Sequence, residues 1–87
     1  MKFTRAQAQI IYNKLKLKNT KVNWKNIPFD QFAIGINVEL EHGLKYARYG
    51  TNVTNDDPMI TGKIALIHII EVKDYYTKLL KYVDPGK

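Results

Sequence analysis

The sequence predicts an all-α fold, a small compact bundle of about four helices in a single domain that spans residues 1–87. Apolar residues recur with helical spacing in four segments, and a residue type that caps helices precedes each segment. The chain has 87 residues and no cysteine, so one hydrophobic core has to supply nearly all of its stability. These observations predict one domain without disulfide bonds.

The first helix is predicted from Arg5 to Lys18, because Thr4 and Gln7 have the spacing of a capping box. One apolar stripe faces the core and comprises Ala8, Ile11, Tyr12 and Leu15. A second stripe on nearly the opposite side comprises Phe3, Ala6, Ile10 and Leu17. A helix that lies on a core needs only one such stripe. The second stripe is therefore predicted either to lie under residues 20–28 or to dock a partner or a second copy.

The connector after this helix is predicted to place Trp24 over the core. The second helix is predicted to begin after an N-cap at Asp30 and to reach His42, with Gly43 as its stop. Its core-facing stripe comprises Phe29, Phe32, Ala33, Ile36 and Leu40. Apolar and polar residues alternate over residues 34–40, as in a strand, but we favour the helix because the helical spacing continues through them.

The third helix is predicted from Pro58, after an N-cap at Asp57, to about Val72. It is apolar on nearly every side, so we expect it to be the most buried element, and Gly62 permits a close neighbour. Asp74 is predicted to cap the last helix, which reaches about residue 83. The inward side of that helix comprises Tyr75, Tyr76, Leu79, Leu80 and Val83.

The basic residues are concentrated at the start of the chain. Residues 1–25 contain seven basic side chains and no acidic one, whereas residues 26–87 contain seven basic and eight acidic ones. Such a segment is expected to contact an acidic surface or a nucleic-acid backbone. The residues predicted to make this contact are Lys14, Lys16, Lys18, Lys21, Lys25, Ile10 and Leu17.

Two features of the sequence rank a protein partner or a second copy above nucleic acid. Lysine outnumbers arginine twelve to two, which disfavours the reading of base edges. Aromatic residues that could stack on bases do not alternate with the lysines of residues 1–25. Non-specific nucleic-acid binding remains an alternative prediction.

Both histidines lie three residues from a glutamate in a predicted helix, in the pairs Glu39-x-x-His42 and His68-x-x-Glu71. This spacing puts each pair on one helix face, so two facing helices could bind Zn²⁺, Mn²⁺ or Fe²⁺ through these four side chains. The alternative is a polar core without metal, in which His68 bonds to Glu39 and His42 bonds to Glu71. The sequence leaves both open.

Two further residues bear on this cluster. Gly35 lies on the side of Glu39 and His42, where the missing side chain would let the second helix of the cluster come close. Tyr75 lies one turn beyond Glu71 and is predicted to donate a hydrogen bond to a carboxylate.

Several classes of function lack support in the sequence. The chain has no serine and no cysteine nucleophile, and it has no glycine-rich phosphate loop. No apolar run of about 18 residues is present, so we expect no membrane span, and we expect no secretory signal. We therefore predict a cytoplasmic, non-enzymatic protein without catalytic residues, in the host cytoplasm or the virion if it is viral.

Several segments carry a resemblance to a known family. They are residues 29–43, with the motif Glu-Leu-Glu-His-Gly, residues 51–58, and residues 63–79, with the motif His-x-x-Glu-x-x-Asp-Tyr-Tyr. Together they resemble an uncharacterised family of small proteins, a domain of unknown function that occurs in bacteria, phages and large DNA viruses. The resemblance covers roughly residues 29–80 and implies no reaction. The charged motif of that family falls on Glu39, Glu41, His42, His68 and Glu71.

The leading prediction is a small helical interaction module whose partner is a protein or a second copy. Residues 1–25 would form its basic helix and connector, and residues 29–83 its family-like core. The alternatives are a small metal-binding protein with two glutamate and two histidine ligands, and a non-specific nucleic-acid-binding accessory protein.

Overall fold

A computed structural model describes residues 2–82, which contain helices and no strand. The prediction of an all-α bundle with about four helices is therefore confirmed. The four α-helices are α1 (Arg5–Lys18), α2 (Phe29–Val38), α3 (Pro58–Glu71) and α4 (Tyr75–Tyr82). Three 3₁₀ helices lie between them, at Trp24–Asn26, Glu39–His42 and Leu44–Tyr49. No helix within residues 2–82 is both long and apolar enough to cross a membrane.

Helix α1 has the predicted bounds and the predicted capping box. The Gln7 backbone N–H donates to the Thr4 hydroxyl over 3.1 Å, and the Thr4 backbone N–H donates to the Gln7 side chain over 2.8 Å. The buried residues of this helix are the predicted ones, Ala8, Ile11, Tyr12 and Leu15. Helix α1 thus supplies part of the core.

The second apolar stripe of α1 is only partly what the sequence predicts. Phe3 is buried because it precedes the helix and lies against the core, where the side chain of Asn37 bonds to its backbone N–H and C=O over 2.7 and 3.0 Å. Ile10 and Leu17 are 55% and 80% exposed. The segment at residues 20–28 therefore leaves the outer face of α1 open to solvent.

Aromatic rings join α1 to the connector and to α2. Trp24 packs edge to face on Tyr12 with ring centroids 5.2 Å apart, so the prediction that Trp24 covers the core is confirmed. The Tyr12 ring meets Phe29 and Phe32 in the same way. Its hydroxyl donates to the backbone carbonyl of Ile27 over 2.6 Å. Burial of this phenol raises the pKa of Tyr12 above its ordinary value.

Helix α2 begins earlier than predicted, so the prediction of Asp30 as its N-cap is wrong. Pro28 occupies the N-cap position with φ −61° and ψ 129°, an extended conformation that suits the fixed φ of proline. Asp30 lies in the first turn, where a negative charge is favourable. The α-helix ends at Val38 and continues as the 3₁₀ helix to His42, so the helical interpretation of residues 34–40 is confirmed.

Helix α3 begins as predicted, since the Asp57 side chain accepts a hydrogen bond from the Ile60 backbone N–H over 2.9 Å. Its inner side is buried and comprises Thr61, Gly62, Ala65, Leu66 and Ile69. A Cβ atom on Gly62 would lie 3.0 Å from side-chain atoms of Ile11 and Leu15 in α1, so the predicted close neighbour is confirmed.

The outer side of α3 contradicts the prediction that this helix is the most buried element. Ile60, Ile67 and Ile70 are 44%, 49% and 48% exposed. Helices α1, α2 and α4 and the 3₁₀ helix at Glu39–His42 pack against α3, and within residues 2–82 these contacts leave the three isoleucines exposed.

Helix α4 follows a break of three residues, in which Val72 is extended. Tyr76 is fully buried, and Tyr75 and Leu79 are half-buried, as their predicted inward positions require. Leu80 is 41% exposed, which contradicts its predicted inward position: it follows the buried Tyr76 by one turn, near the end of the short helix. Val83 lies outside the described residues.

Candidate carboxylate–histidine site

The carboxylate of Glu39 is the centre of a polar cluster inside the bundle. Its side chain is only 4% exposed, so its charge requires polar partners. The Tyr76 hydroxyl donates to Oε2 over 2.6 Å. The Nε2 atom of His42 lies 3.1 Å from Oε1, and that of His68 lies 3.7 Å from Oε2. Both carboxylate oxygens are thus engaged by neighbouring side chains.

The change from α-helix to 3₁₀ helix at Glu39 sets the geometry of this cluster. A 3₁₀ helix has three residues per turn, so Glu39 and His42 lie directly one above the other. The carbonyl oxygen of His42 accepts hydrogen bonds from the backbone N–H groups of Val53 and Thr54 over 2.7 and 3.2 Å. These bonds fasten the end of the turn to the loop that precedes α3.

Gly35 makes room for the donor to Glu39. A Cβ atom at this position would overlap the ring of Tyr76. The sequence predicts that the missing side chain admits the helix that carries His68, but the residue that fills the space belongs to α4. The absence of a side chain at Gly35 therefore allows the Tyr76 hydroxyl to reach Glu39.

Gln31 also belongs to this arrangement, although the sequence pattern did not predict a role for it. Its side-chain oxygen accepts hydrogen bonds from the backbone N–H groups of Tyr76 and Thr77 over 3.0 and 3.3 Å. These N–H groups lie in the first turn of α4, where they have no partner within the helix. Gln31, Gly35 and Glu39 follow one another at four-residue spacing, which is the sequence signal that could have revealed this stripe.

The phenol of Tyr76 stays protonated well into the alkaline range. Burial raises the pKa of Tyr76, and the hydrogen bond to the Glu39 carboxylate and its negative charge raise the pKa further. The sequence predicts that Tyr75 is the donor, and the structure contradicts this. Adjacent residues of a helix differ by 100° in direction, and the ring of Tyr75 instead stacks on His68 with centroids 4.4 Å apart.

The structure brings together three of the four predicted metal ligands, namely Glu39, His42 and His68, and leaves Glu71 exposed. Within residues 2–82 no hydrogen bond joins His42 to Glu71, and His68 lies 3.7 Å from Glu39 rather than at hydrogen-bond distance. The two cross-helix hydrogen bonds expected for a polar core are thus absent from the described residues. Tyr76 supplies the hydrogen bond to Glu39.

A different set of ligand atoms converges on the exposed side of the cluster. Glu39, Glu41 and His42 each offer one atom, and these atoms lie within 4.8 Å of one another. Glu41 Oε1 is 3.7 Å from His42 Nε2. Glu41 and His42 line a shallow cavity of about 430 Å³, together with Tyr46, Tyr49 and Thr51. Glu41 is therefore a candidate ligand that the three-residue spacing of the Glu–His pairs does not predict.

The predicted partner-binding residues lie on a different part of the surface. The lysines predicted for this role are all exposed, and within residues 2–82 none of them forms an ion pair: Lys14, Lys16, Lys18, Lys21 and Lys25. Arg5, in contrast, pairs with Asp30 over 2.5 Å. We term these five lysines, together with the exposed Ile10 and Leu17, the basic face; Lys14 and Lys18 share the outer side of α1 with the two apolar residues, whereas Lys16 lies on its flank.

Comparison with known proteins identifies a family. The profile of a family described as "Protein of unknown function (DUF5661)" matches residues 11–82. No curated protein and no solved structure matches the chain. The matched range is longer than residues 29–80, on which the sequence resemblance rests, and it includes the core residues Ile11, Tyr12 and Leu15 of α1.

Proposed function

The chain belongs to the DUF5661 family of proteins of unknown function, and from its surface we propose that it is a non-enzymatic interaction module that docks on an acidic protein partner. The docking surface is the basic face. The observation that carries this proposal is that its five lysines are exposed and form no ion pair within residues 2–82.

The charge of the basic face is not balanced by neighbouring acidic groups. Residues 1–25 contain no aspartate or glutamate, and Asp30 is already paired with Arg5. An unbalanced patch of one sign attracts a surface of the opposite sign and accelerates encounter with it. This supports an acidic partner.

The apolar side chains of the basic face favour a protein over nucleic acid. Lys14 lies between Ile10 and Leu17 on the outer side of α1, four residues after the first and three before the second. A phosphate backbone offers charge to lysine but no matching surface for leucine and isoleucine, whereas a protein interface has an apolar centre and a polar rim. The solitary Trp24 packs on Tyr12 and does not present a free stacking surface.

The Glu39 cluster supports a role without catalysis. The Glu39 side chain is only 4% exposed, and the Tyr76 hydroxyl donates to its Oε2 atom over 2.6 Å. A general base has to come within hydrogen-bond distance of a substrate proton, which this burial disfavours. The cluster joins α2, α3 and α4 and thereby supports the scaffold that carries the basic face.

The test compares two double charge reversals in the full chain. Lys14→Glu with Lys18→Glu changes the basic face, and Lys45→Glu with Lys73→Glu makes the same charge change elsewhere. The wild type and the second variant should retain the same acidic protein from a lysate of the source cell. With that protein purified, the first variant should bind at least about tenfold more weakly in calorimetry.

A further variant tests the apolar part of the basic face. Ile10→Ser with Leu17→Ser should weaken the same complex while circular dichroism shows unchanged helix content. Equal binding by all variants would contradict the proposal. Binding to a short mixed-sequence DNA duplex that falls steeply with salt and depends on the same lysines would replace it with nucleic-acid binding.

We propose metal binding at Glu39, Glu41 and His42 as a second candidate function. The observation that favours it is that their three ligand atoms lie within 4.8 Å of one another, beside an open cavity. One imidazole nitrogen and two carboxylate oxygens suit Zn²⁺, Mn²⁺ or Fe²⁺. His68 is a further nitrogen donor beside this site, since its Nε2 atom lies 3.7 Å from Glu39 Oε2.

Glu41 and Glu71 provide a matched pair of variants for this candidate. Protein purified without chelator is analysed for bound metal, and Zn²⁺ binding is titrated by calorimetry. Glu41→Gln should abolish binding, whereas Glu71→Gln should leave it unchanged. The opposite result would favour the ligand set predicted from helix spacing, which includes Glu71 and not Glu41. A wild-type protein that binds no metal would exclude both ligand sets.

A further inference from the structure

The outer side of α3 is a second apolar surface, and it is separate from the basic face. We term it the isoleucine row, which comprises Ile60, Ile64, Ile67 and Ile70. Ile64 is half-buried, and the other three are nearly half exposed. Within residues 2–82 these three side chains therefore remain accessible to a second molecule.

Two charged residues flank the isoleucine row. Lys63 and Glu71 are exposed, and neither forms an ion pair within residues 2–82. Ile67 lies midway between them, four residues from each. The two charges are about 12 Å apart along the helix axis, so they cannot pair with each other in one chain.

We propose that two copies of the chain associate through α3, packed antiparallel about a two-fold axis at Ile67. In this arrangement Lys63 of each copy faces Glu71 of the other, and Ile64 faces Ile70. A two-fold interface uses the same patch twice, and this patch is complementary to itself in charge. A parallel arrangement would place Lys63 against Lys63, which is unfavourable.

Because the charge pattern is complementary to itself, we infer that the isoleucine row binds a second copy of the chain. Helix α3 has 14 residues, so the helix–helix contact is about 21 Å long. A contact of this size lies at the small end of specific interfaces. We therefore expect a dimer with a dissociation constant in the micromolar range, which assembles without the partner of the basic face.

A charge-swap experiment tests the antiparallel register. Sedimentation equilibrium should show a concentration-dependent rise towards twice the chain mass of 10.1 kDa. Lys63→Glu and Glu71→Lys should each weaken the dimer about tenfold, because each puts like charges in contact twice. The double variant should restore the wild-type dissociation constant. A wild-type chain that stays monomeric, or a double variant weaker than both single ones, would overturn the proposal.

A disulfide experiment locates the two-fold axis. The chain contains no cysteine, so Ile67→Cys introduces one thiol per copy, and oxidation should link two copies efficiently. Ile10→Cys places the thiol on the basic face and should give little cross-linked dimer. Equal cross-linking of both variants would place the contact elsewhere. Lys14→Glu with Lys18→Glu should leave the dimer intact, so failure of this inference is distinct from failure of the proposed function.

Discussion

The Glu39 cluster and the isoleucine row use different sides of the same helix. His68 points from α3 towards the buried carboxylate, whereas its neighbours Ile67 and Ile70 face solvent. In the cluster every buried polar side-chain atom of the described residues has a partner. In the isoleucine row, by contrast, three apolar side chains are exposed to solvent. The first region is complete within one chain, so its substitutions should change folding, whereas substitutions in the second should change association.

The largest effect is expected from removal of α1. Deletion of residues 1–18 removes five residues of the core, namely Phe3, Ala8, Ile11, Tyr12 and Leu15. Losses of this kind cost about 2–5 kcal/mol for each large side chain, against a total stability of about 5–10 kcal/mol. The truncated chain should be unfolded by circular dichroism. A folded truncation would show that the interior does not depend on α1.

The next effect is expected at Gly35. Replacement of a helical glycine by alanine normally stabilises by about 1 kcal/mol, but here the added Cβ overlaps the ring of the fully buried Tyr76. Gly35→Ala should therefore lower the free energy of unfolding by about 3 kcal/mol in urea titrations. Gly62→Ala is the matched control, because its Cβ meets only side-chain ends at 3.0 Å or more. Equal losses at both positions would show that the Tyr76 ring can move.

The hydroxyl of Tyr76 should contribute less than its ring. Tyr76→Phe removes the hydrogen bond to a buried carboxylate and should cost about 2 kcal/mol of unfolding free energy. Tyr75→Phe, at the position that the sequence favours as donor, should cost no more than about 0.5 kcal/mol. If the two variants ranked in the reverse order, Tyr75 would be the donor in solution.

The same hydrogen bond predicts an alkaline pH dependence. The pKa of Tyr76 is raised above its ordinary value of 10.0, so the unfolded chain loses this proton at lower pH than the folded chain. The stabilising contribution is complete below pH 10 and is lost as the pH rises above it. The stability difference between wild type and Tyr76→Phe should therefore shrink above pH 10, by up to about 1.4 kcal/mol per pH unit. A difference that stays constant to pH 11 would contradict this.

The smallest effect is expected on the outer side of α3. Ile69 and Ile70 are adjacent, but Ile69 is 1% exposed and Ile70 is 48% exposed. At concentrations where the chain is monomeric, Ile69→Ala should cost about 3 kcal/mol and Ile70→Ala about 0.5 kcal/mol. Similar losses of unfolding free energy in both variants would indicate that the outer side of α3 is packed in the monomer. The Glu39 cluster and the isoleucine row would then not differ in the way described above.

The sequence predicts the helices well where a local chemical signal exists. The capping box at Thr4 and the Asp57–Pro58 pair give the starts of α1 and α3 correctly. It does not predict which side of α3 stays exposed. A helix that is apolar all round gives no period from which to choose a side, and burial then depends on whether the chain has another element to cover it.

The candidate site is predictable only in part. The three-residue spacing of Glu39 and His42 correctly places them together. The role of Glu41 depends on a 3₁₀ turn and on the reach of a long side chain, neither of which the helical spacing contains. The choice of Tyr76 over Tyr75 depends on the angle between α3 and α4, which is set by packing and not by local sequence.

The bond between Asn37 and Phe3 has a consequence for observing how the bundle opens. One side chain of α2 holds the backbone N–H that precedes α1, across 34 residues of chain. That amide can exchange its hydrogen with water only when the start of α1 separates from α2. Its exchange rate therefore reports the free energy of this single opening, read from one resonance, separately from unfolding of the whole chain.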